Sequence, residues 1–130
     1  MERHTLILLS LLLLLAAAAL AQGGKAEPRR IAAEAARSGT VLAGTLRHGQ
    51  EMEYAFGGEK GEVAAFRNPK PSLFDVRVYE PASEFDTEYD SSRTFEVDLP
   101  ERAEYIIYIR RKVGGPRAAR FSVSFRVRRS

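Results

Sequence analysis

From Gly39 to Arg129 the chain repeatedly alternates apolar and polar residues, and few architectures tolerate that pattern. Successive side chains of an extended strand point to opposite faces, so a period of two marks a sheet with one face buried and the other wetted. The last stretch is the cleanest, with Phe121, Val123, Phe125 and Val127 set between Arg120, Ser122, Ser124 and Arg126. Leu42, Gly44 and Leu46 alternate in the same way, as do Met52, Tyr54 and Phe56. Further on come Val63 with Ala65 and Phe66, then Phe74, Val76 and Val78, then Phe95, Val97 and Leu99, then Tyr105, Ile107 and Ile109. Turn signals separate them: His48-Gly49-Gln50, Gly57 to Gly61, and Asn68-Pro69-Lys70-Pro71. With no long helical period, this predicts an all-β chain: one antiparallel β-sandwich of about seven to eight short strands, jelly-roll-like, over residues 31–130.

The first 21 residues read differently. A short charged start precedes a Leu-rich run from Leu6 to Leu20, with Ala19 and Ala21 in the positions that signal peptidase reads. The run is shorter than the roughly 20 residues that span a bilayer, so residues 1–21 are expected to be a cleaved signal peptide rather than an anchor, with no membrane span after cleavage. Residues 22–30, rich in Gly, Pro and charge, are expected to form a flexible lead-in. Ile31 to Arg37 reads as a short helix by propensity or as an edge strand.

The chain has no Cys, which removes disulfides, thiolate metal sites and a Cys nucleophile. A small exported eukaryotic domain would normally be stapled, so the expected setting is the bacterial periplasm or medium, with the fold held by burial alone. A net charge of +3 is too small an excess to imply nucleic acid.

Catalytic chemistry finds little support in the residues. His4 lies in the expected signal peptide, which leaves His48, in a turn beside Arg47 and Gly49. No His-Glu-x-x-His, Gly-x-Ser-x-Gly or phosphate-binding Gly-x-x-x-x-Gly-Lys pattern occurs, so no enzyme activity, catalytic residue or cofactor is expected. Gly57-Gly58 and Gly114-Gly115 read as hairpin glycines.

Two stretches concentrate charge. Residues 80–90 carry Glu80, Glu84, Asp86, Glu88 and Asp90 with no base. Asp86, Glu88 and Asp90 have a spacing that gathers oxygen ligands round calcium, but Ser91 and Val97 stand where a calcium loop needs Gly and a bidentate Glu. A solvated acidic loop is the simpler reading. Residues 110–129 carry eight Arg and Lys and no acid. Arg111, Lys112 and Arg117 fall on the connection between the last two strands, where a guanidinium-rich loop suits a carboxylate-lined cleft or an anionic polymer.

The order of motifs resembles a known superfamily. Thr40 to Leu46, Glu53-Tyr54-Ala55-Phe56, Lys60-Gly61-Glu62-Val63, Phe74-x-Val76-x-Val78-Tyr79-x-Pro81, Tyr105 to Ile109 and Phe121-Ser122-Val123 are similar to the bacterial pre-peptidase C-terminal-like β-sandwich. Glu104 departs from it, standing where that pattern has Gly before its late Tyr. Within the superfamily, one exported domain with a basic last hairpin resembles the periplasmic inhibitors of g-type lysozyme. The resemblance implies a Tyr in the first hairpin turn, where this chain has Gly49 beside His48, and two Arg in the last connection, where it has Val113 and Arg117. Only Arg117 matches directly. The expected partner-facing residues are therefore Arg117, Arg111, Lys112, His48 and Arg47, and the expected partner is g-type lysozyme. A cell-wall glycan or an envelope protein is the alternative.

Overall fold

The computed structural model describes residues 27–130, so the expected signal peptide and most of the lead-in lie outside the described residues. Its elements are β1 (Arg29–Arg30), α1 (Ala33–Ser38), β2 (Thr40–Arg47), β3 (Glu51–Gly58), β4 (Glu62–Arg67), β5 (Phe74–Glu80), β6 (Phe85–Asp86), β7 (Thr94–Asp98), β8 (Ala103–Arg111) and β9 (Ala118–Arg129). They form a five-stranded sheet in the order β1-β3-β8-β5-β6 and a four-stranded sheet in the order β2-β9-β4-β7. Every pairing is antiparallel except β1 on β3. This is the all-β sandwich that the alternation predicts.

The core is what the two inward faces bury between them. Tyr54, Phe56, Val76, Val78, Tyr105, Ile107 and Ile109 come from one sheet; Leu42, Leu46, Phe66, Phe121, Val123, Phe125 and Val127 from the other. Aromatic rings cross the interface: Phe56 meets Phe125 edge-on at 4.8 Å, and Phe74 meets Phe121 at 5.7 Å. Such offset contacts add to the gain from area burial. Two glycines inside strands make room for large side chains. A Cβ on Gly44 would lie 2.9 Å from the Phe121 ring, and one on Gly58 would lie 2.4 Å from Leu99 Cδ1. Gly58 thus closes β3 against the core, and Gly61, with φ +85°, supplies the turn that follows.

Tertiary contacts decide two local points. The lead-in is not loose throughout, because Arg29 and Arg30 pair with Tyr54 and Ala55 along the free edge of β3. Burial of Ile31 and its N–H bond to the Ala55 carbonyl (2.9 Å) hold that segment down. Of the two readings of 31–37, the helix wins. It is only six residues long, too short to stand alone, and it buries Ala36 while Arg37 reaches the nearly buried Glu62 carboxylate at 3.2 and 3.3 Å.

Candidate partner-binding loops

The site begins with strand pairing. β2 lies beside β9 and β3 beside β8, so the β2–β3 turn and the β8–β9 connection emerge side by side. The His48 N–H donates to the Arg117 carbonyl (3.3 Å) and the Gly49 N–H to the Arg111 carbonyl (3.2 Å), while the Arg111 N–H donates to the Gln50 carbonyl (2.8 Å). Gly49 turns at φ +76°, and the Gln50 side chain accepts the Arg47 N–H at 2.9 Å. Arg47, His48 and Arg117 are exposed around this interlock, and no ion pair among the described residues includes them.

Arg111 does not share that surface. It was expected to face a partner, yet it is 1% exposed, with its guanidinium folded beneath the loop. Nη2 donates to the Gly114 carbonyl (2.8 Å) and the Pro116 carbonyl (2.5 Å), and Nη1 donates to the Lys112 carbonyl. The group also lies 5.8 Å from the centre of the Phe74 ring, and Nε has no partner. A planar fork of donors suits three converging carbonyls, so Arg111 shapes the loop from inside. Gly114 (φ +113°) and Gly115 (φ +69°) supply the backbone that wraps it. Their service is to this loop rather than to a tight two-residue hairpin.

Lys112 also turns aside. Its ammonium donates to the Pro71 carbonyl and to Ser91 Oγ, both at 3.3 Å, which ties the loop to the connections before β5 and before β7. The residue that sequence reasoning missed is Val113, 86% exposed at the loop tip. An aliphatic side chain next to Gly114-Gly115 was the available signal, because glycines there end the strand, and β8 does stop at Arg111, before the alternation could carry Val113 inward. The end of the sandwich therefore offers an apolar tip flanked by unpaired cations, a combination suited to a cleft with apolar walls and a carboxylate.

The acidic loop is committed elsewhere. Asp86 takes Arg77 Nε at 2.8 Å and Nη2 at 2.6 Å, and it also accepts the Glu88 N–H. Asp90 accepts the Ser92 N–H at 2.7 Å. Among the described residues no three His, Asp or Glu side chains gather as a cation site, and Asp86 and Asp90 are engaged with Arg77 and with turn N–H groups. Tyr89 fastens the loop to the sheet, with Arg110 stacked 3.6 Å from its ring centre and its hydroxyl donating to Glu51 at 2.8 Å. Burial, followed by the Glu51 carboxylate, pushes that hydroxyl up to about 12.

Hydrogen bonds from Arg77 hold Asp86 below its ordinary value of 3.8, and bonds from Ser83 do the same for Glu80 relative to 4.5. Depressed carboxylates contribute stability above their unfolded values and lose it as pH falls through the folded ones. Urea midpoints should therefore be level from pH 7 to about 5 and fall below about pH 4. Asp86→Asn should lower the neutral midpoint and shrink the acid loss; an unchanged acid slope would remove Asp86 from this account.

No protein-family model and no curated protein matches the sequence. Among solved structures, the Salmonella Typhimurium PliG, a periplasmic inhibitor of g-type lysozyme, superposes with a TM-score of 0.63 at 13% identity, covering 80% of this chain and 100% of that one. Aeromonas hydrophila PliG gives 0.62 at 14% identity, covering 78% and 96%. This chain has the fold of the PliG inhibitors. The pre-peptidase C-terminal domain of Bacillus anthracis collagenase gives 0.54 at 15% identity, covering 80% and 97%, so the wider resemblance holds at the level of the fold as well. At such identities the likeness carries architecture and leaves the loop chemistry to this chain's own residues. Among the described residues no helix is long and apolar enough to cross a membrane.

Proposed function

We propose that this protein is an exported bacterial inhibitor of g-type lysozyme, acting in the periplasm as a binding protein and not as a catalyst. The observation that carries the reading is the interlock of the two loops, which sets Arg117 beside the His48 turn, with Val113 at the exposed tip. Glycoside hydrolysis depends on carboxyl groups within a cleft. In this reading the β8–β9 connection enters that cleft and Arg117 pairs with an acid there, with Arg47 and His48 at the rim. Arg111 keeps the loop in shape from beneath, and Lys112 anchors its base. Residues 1–21 serve as the export signal. The fold shared with the PliG proteins supports the reading, and so do the exposed Arg47 and Arg117 of the two loops, which belong to no ion pair among the described residues.

The purified protein should slow lysis of cell-wall suspensions by a g-type lysozyme. Arg117→Ala should weaken inhibition about tenfold or more, the scale of losing one desolvated charge pair. The same assay with a chicken-type lysozyme defines the range of targets. No inhibition at micromolar excess over g-type enzyme would sink the proposal.

A further inference from the structure

The two outer faces of the sandwich differ in how their arginines are satisfied. On the five-stranded sheet Arg77, Arg110 and Arg30 each hold a carboxylate, from Asp86, Asp75 and Glu104. On the four-stranded sheet Arg128 holds Glu96 at 2.6 Å, whereas Arg120 and Arg126 of β9 and Arg67 of β4 are exposed and none of these three belongs to an ion pair among the described residues. Strand alternation turns all three outward, opposite in sense to the buried Phe121, Phe125 and Phe66. Lys70 adds a fourth cation, with Nζ bonded to the Arg120 carbonyl at 3.0 Å.

The surface between these charges is low and rich in hydroxyls. Register sets Thr45 opposite Arg120 and Ala43 opposite Ser122, and it places Ser124 between Val41 and Arg67. A shallow depression of about 370 Å³ opens at Val41, Ala65 and Ser124, with Arg67 and Arg126 on its rim. The Arg126 guanidinium donates to the Arg37 carbonyl at 3.3 Å, which orients it there. Arg120 and Arg126 stand six residues apart on one strand, about 20 Å at 3.4 Å per residue. Guanidiniums spaced in this way along one strand can each meet a separate acid group of one extended, negatively charged chain.

We propose that this face binds an acidic polysaccharide, a carboxylated or sulfated glycan laid along β9. Guanidiniums engage its acid groups bidentately, and Thr45, Ser122 and Ser124 offer hydroxyls to its sugar hydroxyls. The small side chains let the chain lie close to the sheet. A nucleic acid fits less well, because β2, β9, β4 and β7 turn no aromatic ring outward on this face for bases to stack on. The surface lies beside the proposed lysozyme-binding loops and needs none of their residues, so either reading stands without the other.

The test is retention of the purified protein on immobilised heparin (sulfated) and polygalacturonate (carboxylated), with neutral dextran as the control. Retention on at least one acidic gel, released by salt and absent on dextran, is the expected result. Replacing Arg67, Arg120 and Arg126 together by Gln should weaken binding about tenfold or more, while a charge-matched Arg29→Gln, Arg30→Gln, Arg102→Gln variant should lose less than about twofold. If the first triple variant does not fold, as judged by its thermal melt, Arg126→Gln alone should weaken binding about two- to threefold. No retention on either acidic gel, equal losses in the two triple variants, or tighter binding to single-stranded DNA than to both glycans overturns the proposal. Lysozyme inhibition by the first triple variant should stay at the wild-type level, which separates this outcome from failure of the inhibitor reading.

Discussion

Phe125→Ala should destabilise the protein by about 3–5 kcal/mol, the scale of removing a large ring from a close-packed core. Phe125 is 1% exposed and touches rings from both sheets, Phe56 at 4.8 Å and Phe66 at 5.1 Å. Phe66 in turn stacks on Phe95 at 4.8 Å, so the cavity would loosen β4 and β7 as well as the contact with β3. Neighbours locked in strands relax only partly into such a hole, which keeps the loss near the top of the range. Ser124→Ala, one residue away on the wetted face, should change stability by less than about 0.5 kcal/mol. Urea unfolding of both variants checks the contrast. Similar losses at the two positions would mean that β9 does not sit with its phenylalanines inward.

Arg111→Met should cost about 2 kcal/mol of stability and lower lysozyme inhibition by more than tenfold. Met keeps apolar volume over Phe74 but removes every donor from the carbonyls of Lys112, Gly114 and Pro116. Gly114 and Pro116 lie in exposed backbone and can take up water instead, which limits the stability loss. The shape of the loop has no such substitute. Without the guanidinium, Gly114 and Gly115 are free to leave their left-handed conformations, and the Val113 tip is no longer fixed relative to Arg117. Arg111→Lys should restore little, since one ammonium cannot reproduce a planar fork. Denaturant midpoints together with inhibition constants test this. Full inhibition by Arg111→Met would show that the loop holds its shape without the buried cation.

Much of Arg111's position was written in the sequence. Tyr105, Ile107 and Ile109 point inward, and the same period of two puts Arg111 on that face; its charge argues for solvent and obscures the alternation. Glu80 is a parallel case, following Phe74, Val76 and Val78 inward and satisfying its carboxylate with the Ala82 and Ser83 N–H groups. The seven longer strands, their buried faces and the turns at Gly49 and Gly61 were legible, because alternation and positive-φ residues are local signals. Strand β1 and the choice of helix for 33–38 were not. Both depend on contacts with the distant strands β3 and β9 that no window of a few residues contains.

The sequence alone determined which side of each strand is buried, since hydrophobic burial acts on each strand's own pattern. It also determined that the described chain is an all-β sandwich and where its charges concentrate. Only the tertiary structure decided which loops meet. Pairing β2 with β9 and β3 with β8 brings His48 to Arg117 and folds Arg111 inside, and pairing β4 with β9 leaves Arg67, Arg120 and Arg126 on one face, outside any ion pair among the described residues. The physical reason is that alternation specifies a face and not a partner. Partners are chosen by register, ring packing and carbonyl satisfaction summed over the whole sandwich, and that sum exists only once both sheets are in place.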